Sequence, residues 1–316
     1  MMDIIVPKVV IKCTTYNHEP YIRKCLDGFV NQRTNFSFVA IVHDDASNDG
    51  TTQIVRDYAK KYPDMIYPIY EEENQWSKHD GTINSILNEV IEKLSPKYVA
   101  ICEGDDYWVD PLKLQKQVDV MDADDGISMC YTRNKCFSVK KNQFSNTRGT
   151  ACVDFRTFLL YDETITLTVL IRNDLHKKYF EEIKPNQKGW LMGDTPLWLW
   201  LAKNGRIKPL DDITAVYNAH PGSSSRSGAY KKQERFNKSA LDIRLFFIEK
   251  YNDCKDLIPY LYDKYYRANM SDAYDFGEFT ETVKNFYKIK KKKKNDYFVM
   301  IKLLPKVICR KFMVQK

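Results

Sequence analysis

Short apolar, β-branched runs alternate with helical patterns through the first third of the chain, and this alternation constrains the fold most strongly. Four runs predict strands: Val9–Cys13, Phe38–His43, Met65–Tyr70 and Lys97–Cys102. Three helical patterns lie between them: 19–32, 51–62 and 82–94. Successive strand–helix units favour an α/β fold whose central sheet is mostly parallel and covered by helices on both faces.

Polar loops follow three of the predicted strands, at Thr14–Pro20, Asp44–Thr51 and Glu103–Asp110. Ligands of open α/β sheets bind where the carboxyl ends of the strands meet, so these loops predict a binding edge. The chain contains neither G-x-G-x-x-G after a strand nor G-x-x-x-x-G-K-[ST]. The usual dinucleotide and P-loop folds are therefore not indicated.

The third loop carries three carboxylates within four residues, in the sequence Glu103-Gly104-Asp105-Asp106. Carboxylates this close repel one another, and a cation or a row of hydrogen-bond donors is needed to keep them ionised. Oxygen ligands of this kind suit Mg²⁺ or Mn²⁺, which commonly bind a substrate phosphate as well.

Positive charge is concentrated at the C-terminus. The net charge of the 316 residues is +7, but residues 288–316 hold eleven Lys or Arg and one acid, which leaves the rest of the chain at −3. The folded body therefore has no general basicity, and nucleic-acid binding is not expected.

The eight cysteines include no C-x-x-C pair or zinc-type cluster, and several fall in apolar strand runs. No signal peptide precedes Val9, and no uncharged apolar run has the length of a membrane span. We therefore expect a cytoplasmic protein. A soft boundary near residue 226 would separate an α/β domain, 1–225, from a helical region, 226–316.

Three motifs in order are similar to those of a known family. They are Thr14-Thr15-Tyr16-Asn17, the acidic turn Asp44–Thr51, and Glu103-Gly104-Asp105-Asp106-Tyr107-Trp108. Together they resemble the family 2 glycosyltransferases, which have the GT-A fold and use nucleotide sugars. The resemblance covers roughly the first 225 residues, and it implies an inverting glycosyltransferase.

The resemblance also implies residues that bind the donor. Thr14 and Tyr16 would line the base pocket, and Asp45 would accept a hydrogen bond from the ring nitrogen of a uracil. Lys78 is a candidate for the phosphates. In the metal motif, Asp106 would coordinate the cation, Mn²⁺ or Mg²⁺, and Asp105 would support the ribose or the metal.

Two further positions are implied for the same metal. Glu103 stands where the family more often has aspartate, so the charge is kept and the oxygens move outward by one methylene. His220 corresponds to a histidine near the diphosphate, where it could bind the metal or donate to phosphate. The Ser223–Arg226 loop could close over the donor, with Arg226 on the phosphate.

The acceptor hydroxyl needs a base, and the family carries one in an acidic motif at a helix start. Gly193-Asp194 matches that motif, with glycine replacing the first acid of the commoner Glu-Asp pair. Asp194 alone would thus be the catalytic base. Asp-Thr-Pro before an apolar run is also a good helix start, and the two roles are compatible.

The basic tail, 288–316, places Lys302, Lys306 and Arg310 four residues apart among apolar side chains. This spacing is typical of a helix that lies in a membrane interface. Such a tail would hold the enzyme on the anionic inner face of the cell membrane, near lipid-linked acceptors. The alternative is a solvated or disordered tail.

These features predict a hexosyl- or N-acetylhexosaminyl-transferase that extends a surface polysaccharide or lipid-linked glycan from a nucleotide sugar, with UDP as the expected nucleotide. Two alternatives remain. A sugar nucleotidylyltransferase shares the architecture, although Thr14–Pro20 lacks its Gly-rich, arginine-containing loop. A non-catalytic protein that binds carbohydrate or lipid could retain the same fold.

Overall fold

The computed structural model describes residues 6–78, 80–161, 164–220 and 228–313. The chain divides into two compact units. The first comprises residues 1–189 with 197–220, and the second comprises 190–196 with 221–316. The loop Ser223–Arg226 and the predicted boundary near residue 226 lie outside the described residues, so both stay predictions.

A single sheet in the first unit contains the nine strands of the described chain. They are β1 Val9–Thr15, β2 Phe38–Asp44, β3 Ile66–Tyr70, β4 Tyr98–Ile101, β5 Tyr107–Trp108, β6 Ile127–Ser138, β7 Gln143–Arg148, β8 Val169–Arg172 and β9 Arg206–Ala219. The order is β3-β2-β1-β4-β8-β6-β9-β5, and β7 pairs with β6. Strands β3, β2, β1 and β4 are parallel, whereas β8 is antiparallel to both of its neighbours.

Helices account for most of the remaining described chain. Those beginning before residue 205 are α1 Glu19–Val30, α2 Thr51–Lys61, α3 Thr82–Leu94, α4 Lys113–Asp122, α5 Phe155–Leu160, α6 Asn173–Ile183 and α7 Asp194–Asn204. The later ones are α8 Tyr230–Tyr251, α9 Ile258–Asp275, α10 Phe279–Lys288 and α11 Lys294–Met313. Within the described ranges, no helix has the length and apolar character needed to cross a membrane.

Alternation along β1 directs successive side chains to two separate apolar clusters. Ile11 packs in a cluster with Leu26 and Phe29 of α1, whereas Val10 packs with Leu87 of α3 in another. Successive strand residues point to opposite faces, so both faces of the sheet are covered by helices. Because helices cover both faces, the polar loops lie at the edge of the sheet where the carboxyl ends of the parallel strands meet.

The register aligns the ends of the central strands. Thr15 at the end of β1 pairs with Asp44 at the end of β2, and Lys12 pairs with Ile101 at the end of β4. The polar loops that follow these strands therefore start from the same edge of the sheet, as the sequence predicts.

Candidate active site

The three carboxylates after β4 contact three different partners. Glu103 accepts a hydrogen bond from the Thr166 hydroxyl at 2.6 Å. Asp105 Oδ2 lies 2.9 Å from His220 Nε2, and Asp106 Oδ1 accepts the Asn218 backbone N–H at 2.7 Å. The loop is thus connected to the end of β9 through Asp106 and to the residue after β9 through Asp105.

Glycine is required between the first two acids because the loop runs close to β1. A Cβ atom at Gly104 would lie 2.6 Å from Thr15 Oγ1 and 2.7 Å from Thr15 Cβ. Real Cβ atoms do not approach other heavy atoms this closely, so any side chain here would displace the loop. Gly104 therefore lets the acids lie directly against the end of β1.

Asp106 is buried, and its ionised form is unfavourable. Burial, together with the charges of Asp105 and Glu103, raises the pKa of Asp106 well above its usual range. The backbone N–H of Asn218 offsets only part of this effect. A divalent cation near the cluster would relieve the repulsion.

Asp105 and His220 form a hydrogen-bonded pair beside the buried Asp106. Burial alone raises the pKa of Asp105, but the His220 hydrogen bond and the charges of the neighbouring histidines outweigh it, so the pKa is lowered. The 2.9 Å separation of the Asp105 oxygen from the His220 nitrogen is that of a hydrogen bond, and both groups are of kinds that can bind a divalent cation.

Aromatic rings hold His220 in place. Its ring stacks on Tyr21 with centroids 4.9 Å apart, and His18 meets it edge-on at 6.3 Å. Within the described ranges, no three His, Cys, Asp or Glu side chains form a complete metal site. A two-ligand arrangement nevertheless suits Mg²⁺ or Mn²⁺, because substrate phosphates and water commonly supply their remaining ligands.

The residues predicted for the nucleotide lie along the same edge, around Asp45. The buried Asp45 carboxylate accepts the backbone N–H groups of Gln75 at 2.7 Å and Trp76 at 3.0 Å. Its own N–H donates to the Thr15 carbonyl at 3.0 Å. Thr14 is half-buried and Tyr16 is exposed. Asp45 therefore contacts the last residue of β1 as well as the chain at 75–76.

Lys78 ends the 3₁₀ turn that begins at Trp76. Its ammonium pairs with Glu73 at 3.2 Å, and both side chains are substantially exposed. An exposed pair of this kind is weak and exchanges readily, so it leaves Lys78 able to bind another anion. Its role with the phosphates stays a prediction.

Asp194 is the first residue of α7 and belongs to the second unit. It is half-buried, and its carboxylate accepts the Thr195 backbone N–H at 2.6 Å. Asp194 thus lies at a helix start, as Asp-Thr-Pro before an apolar run predicts, and its catalytic role stays a prediction. A Cβ atom at Gly193 would meet no described atom within 4 Å, so steric crowding does not explain the missing first acid.

Two residues near the site were missed by sequence reasoning. Lys12, inside β1, donates to Asn84 at 3.0 Å. Burial lowers the pKa of Lys12 to about 8, although the charge of Glu103 partly counteracts the effect. Burial likewise lowers the pKa of His18, which feels the charges of Asp105 and His220. A charged residue within an apolar strand run was the sequence pattern that could have identified Lys12 as a functional candidate.

Parallel central strands covered by helices on both faces, with polar loops at their carboxyl ends, define the class of open α/β proteins that bind ligands at this edge. Within this class, residues 10–184 match the family model described as "Glycosyl transferase family 2". The chain belongs to this family. The family predicted from the three motifs is therefore confirmed.

A protein relative and two solved structures extend the comparison. The chain is 42% identical over 225 residues to the uncharacterized protein Rv1520 of Mycobacterium tuberculosis (strain ATCC 25618 / H37Rv), covering 70% of this chain and 61% of that relative. S. aureus TarS 1-349, solved with UDP-GlcNAc, has a TM-score of 0.55 at 16% identity and 89% coverage of both chains.

The second structure is the mannosyltransferase PcManGT from Pyrobaculum calidifontis, solved with GDP-Man and Mn²⁺. Its TM-score is 0.55 at 16% identity, covering 96% of this chain and 81% of that one. These similarities confirm the predicted fold class, α/β of the GT-A type with a helical C-terminal region. The chain spans 61% of the length of the Mycobacterium relative.

Proposed function

We propose that this protein is an inverting glycosyltransferase. It would move a sugar from a nucleotide-sugar donor, UDP-linked, to a hydroxyl of a glycan or lipid-linked acceptor in surface polysaccharide synthesis. The single observation that carries the proposal is the Asp105–His220 pair at the carboxyl edge of the sheet, in a chain of the family 2 fold. TarS with UDP-GlcNAc and PcManGT with GDP-Man and Mn²⁺ support a nucleotide-sugar donor and a divalent cation.

Each group of the site has a role in this reaction. Asp105 and His220 would hold Mn²⁺ or Mg²⁺, and the Asp106 hydrogen bond to the Asn218 N–H would fix the loop that carries Asp105. Glu103 and Asp106 stay predicted additional ligands. A bound cation neutralises the donor diphosphate and makes it a better leaving group.

The proton of the acceptor hydroxyl must be removed as its oxygen attacks the anomeric carbon. The bond between that carbon and the diphosphate breaks in the same displacement, which inverts the configuration. Asp194 would accept the proton through its carboxylate, while Thr14, Tyr16 and Asp45 hold the nucleoside. A half-buried carboxylate at a helix start can serve as such a base.

A donor panel tests the proposed function. The protein with Mn²⁺ is incubated with UDP-, GDP- and dTDP-sugars, and nucleotide release and thermal stability are measured. UDP-sugars are expected to release UDP slowly to water and to raise the melting temperature, because ligands of the folded state stabilise it. No release and no shift with any donor would refute the proposal. Pyrophosphate formation from a nucleoside triphosphate and a sugar phosphate would instead indicate a nucleotidylyltransferase.

The second unit contains a surface suited to an anionic membrane. Asp263 accepts the backbone N–H groups of Lys290 and Lys291 at 2.7 and 2.8 Å. Asp296 binds Arg267 through both oxygens and accepts the Lys293 N–H at 2.7 Å. The lysine-rich segment between α10 and α11 is therefore an anchored loop, which argues against the disordered alternative for this part of the tail.

Exposed aromatic and aliphatic side chains accompany these lysines. Tyr287 is 74% exposed, and Tyr297, Phe298 and Ile301 are each more than half exposed. We define the lysine–aromatic surface by these four residues together with Lys288, Lys290, Lys291, Lys293, Lys294 and Lys302. Basic side chains beside exposed aromatic rings are typical of interfacial membrane binding. We propose that this surface holds the protein on the inner leaflet, in the cytoplasm.

Neutralising the anchored lysines is expected to release the protein from anionic vesicles. Each basic residue near such a surface contributes about 1 kcal/mol, so the quadruple change Lys290, Lys291, Lys293 and Lys294 to Gln should lower the partition coefficient about 10²- to 10³-fold. The measurement is co-sedimentation with vesicles of equal parts phosphatidylglycerol and phosphatidylcholine.

A matched control changes Lys60, Lys61, Lys140 and Lys141 to Gln, because these four exposed lysines lie in the first unit. The net charge changes equally, yet binding should be preserved. Equal losses in both variants would mean that only the overall charge matters, and no loss in the first would refute the proposed surface.

A further inference from the structure

An unusually well-fixed turn lies at the nucleotide end of the site. The 74–78 turn runs from Asn74 to Lys78, and two of its backbone N–H groups donate to the Asp45 carboxylate at 2.7 and 3.0 Å. Asn74 adds a contact from its amide to the Asp45 carbonyl at 3.3 Å and accepts the Ser77 N–H at 2.8 Å. Hydrogen bonds from N–H groups to a buried carboxylate are among the stronger ones in proteins.

This turn displays a large aromatic side chain. Trp76 is 57% exposed, although a tryptophan side chain gains more from burial than almost any other. The hydrogen bonds to Asp45 fix its backbone but do not bury its ring. Ligand sites are lined mainly by apolar and aromatic side chains, so an exposed ring beside a polar binding edge is a candidate ligand contact.

A second exposed aromatic residue, Tyr16, directly follows the strand end that Asp45 contacts. The Asp45 N–H donates to the carbonyl of Thr15, and the next residue, Tyr16, is 41% exposed. The β1 loop is also connected to the β2 loop, since the Asn17 N–H donates to Ser47 Oγ at 2.9 Å. Asp45 thus joins one segment that carries Tyr16 to another that carries Trp76.

We propose that Trp76 stacks on the face of the donor's nucleobase and is a binding residue of the nucleotide site. Tyr16 and Trp76 then supply aromatic contacts from the two segments that Asp45 joins, and Asp45 also positions Trp76 through the turn. Every nucleobase has a flat face, so this contact adds affinity without choosing among bases. The inference rests on the proposed function, because it requires a nucleotide donor.

The test compares ligands that contain the base with one that lacks it. UDP, uridine and inorganic pyrophosphate are titrated with Mn²⁺ present, using calorimetry and, for uridine, competition with UDP. Trp76→Ala is expected to weaken UDP and uridine by the same factor, about 5- to 150-fold, because that is the range for loss of one base–aromatic stack. Pyrophosphate binding should not change, and Trp76→Phe should keep most of the affinity.

Phe144→Ala is the matched control, because Phe144 is 55% exposed on β7 and belongs to the same unit. It should bind all three ligands as the parent does. Unchanged uridine affinity in Trp76→Ala would overturn the inference, and so would an equal loss of pyrophosphate, which would mean that the whole site is disturbed. If the parent protein binds neither UDP nor pyrophosphate, the proposed function fails and the stacking role fails with it.

Discussion

Replacing Asp105 by asparagine is expected to lower kcat/KM for the nucleotide-sugar donor about 10³-fold, which is the range for loss of one strong electrostatic contact to a developing charge. The amide keeps the size of the carboxylate and removes its charge. Its partner His220 then faces a neutral group at the 2.9 Å contact. The apparent Mn²⁺ affinity, measured by titrating metal into the activity assay, should fall as well.

Asp106→Asn is the informative comparison. An asparagine oxygen can still accept the Asn218 N–H that Asp106 accepts at 2.7 Å, so the loop should keep its position. If the Asp105–His220 pair holds the metal, Asp106→Asn should retain far more activity than Asp105→Asn. Equal losses of activity and of Mn²⁺ affinity would instead support the sequence-based prediction that Asp106 is itself a ligand. Normal metal affinity in Asp105→Asn would exclude the proposed pair.

Replacing Asp194 by asparagine is expected to lower kcat by about 10²- to 10⁴-fold, the usual contribution of a general base, with the UDP affinity unchanged. Asparagine at a helix start accepts the same kind of backbone hydrogen bond that Asp194 accepts from Thr195, so folding should be preserved. If Asp194 had a purely structural role, its replacement would lower kcat and nucleotide affinity together. A fall in kcat alone therefore distinguishes the catalytic role. Steady-state kinetics with calorimetry on the same samples gives both quantities.

Gly193→Glu provides the matched control at the neighbouring position. A side chain there meets no described atom within 4 Å of its Cβ, so the variant should fold normally and keep the parent's UDP affinity. Near-normal turnover in a well-folded Asp194→Asn protein would remove Asp194 from the mechanism. Loss of UDP affinity together with kcat would show that the change disturbs the donor site.

Local pattern was sufficient for the first strands and helices. The predicted strand Val9–Cys13 lies within β1 Val9–Thr15, and the helix predicted at 82–94 coincides with α3 Thr82–Leu94. These segments have apolar residues at the period of their own element, and each buries one or both faces. The spacing of the apolar residues therefore predicts both the type of element and the side chains that it buries.

The strand β7 Gln143–Arg148 was not predicted from the sequence. Its residues are mostly polar, and its pairing with β6 depends on a neighbour rather than on its own pattern. Helix α6 was not predicted either, because its buried side chains are only three, His176, Tyr179 and Ile183, among mostly polar residues. The structure has a 3₁₀ turn at Thr166–Thr168 before β8.

The sequence by itself determined the family, the strand–helix order and the presence of three acids after β4, because these depend on residue type and spacing along the chain. Only the tertiary structure decided where each acid points. His220 and Asn218 lie more than one hundred residues from Asp105 and Asp106, and β9 brings them to the loop. Contacts between such distant residues arise from the pairing of strands in the sheet. The spacing of residues within a single motif contains no information about that pairing.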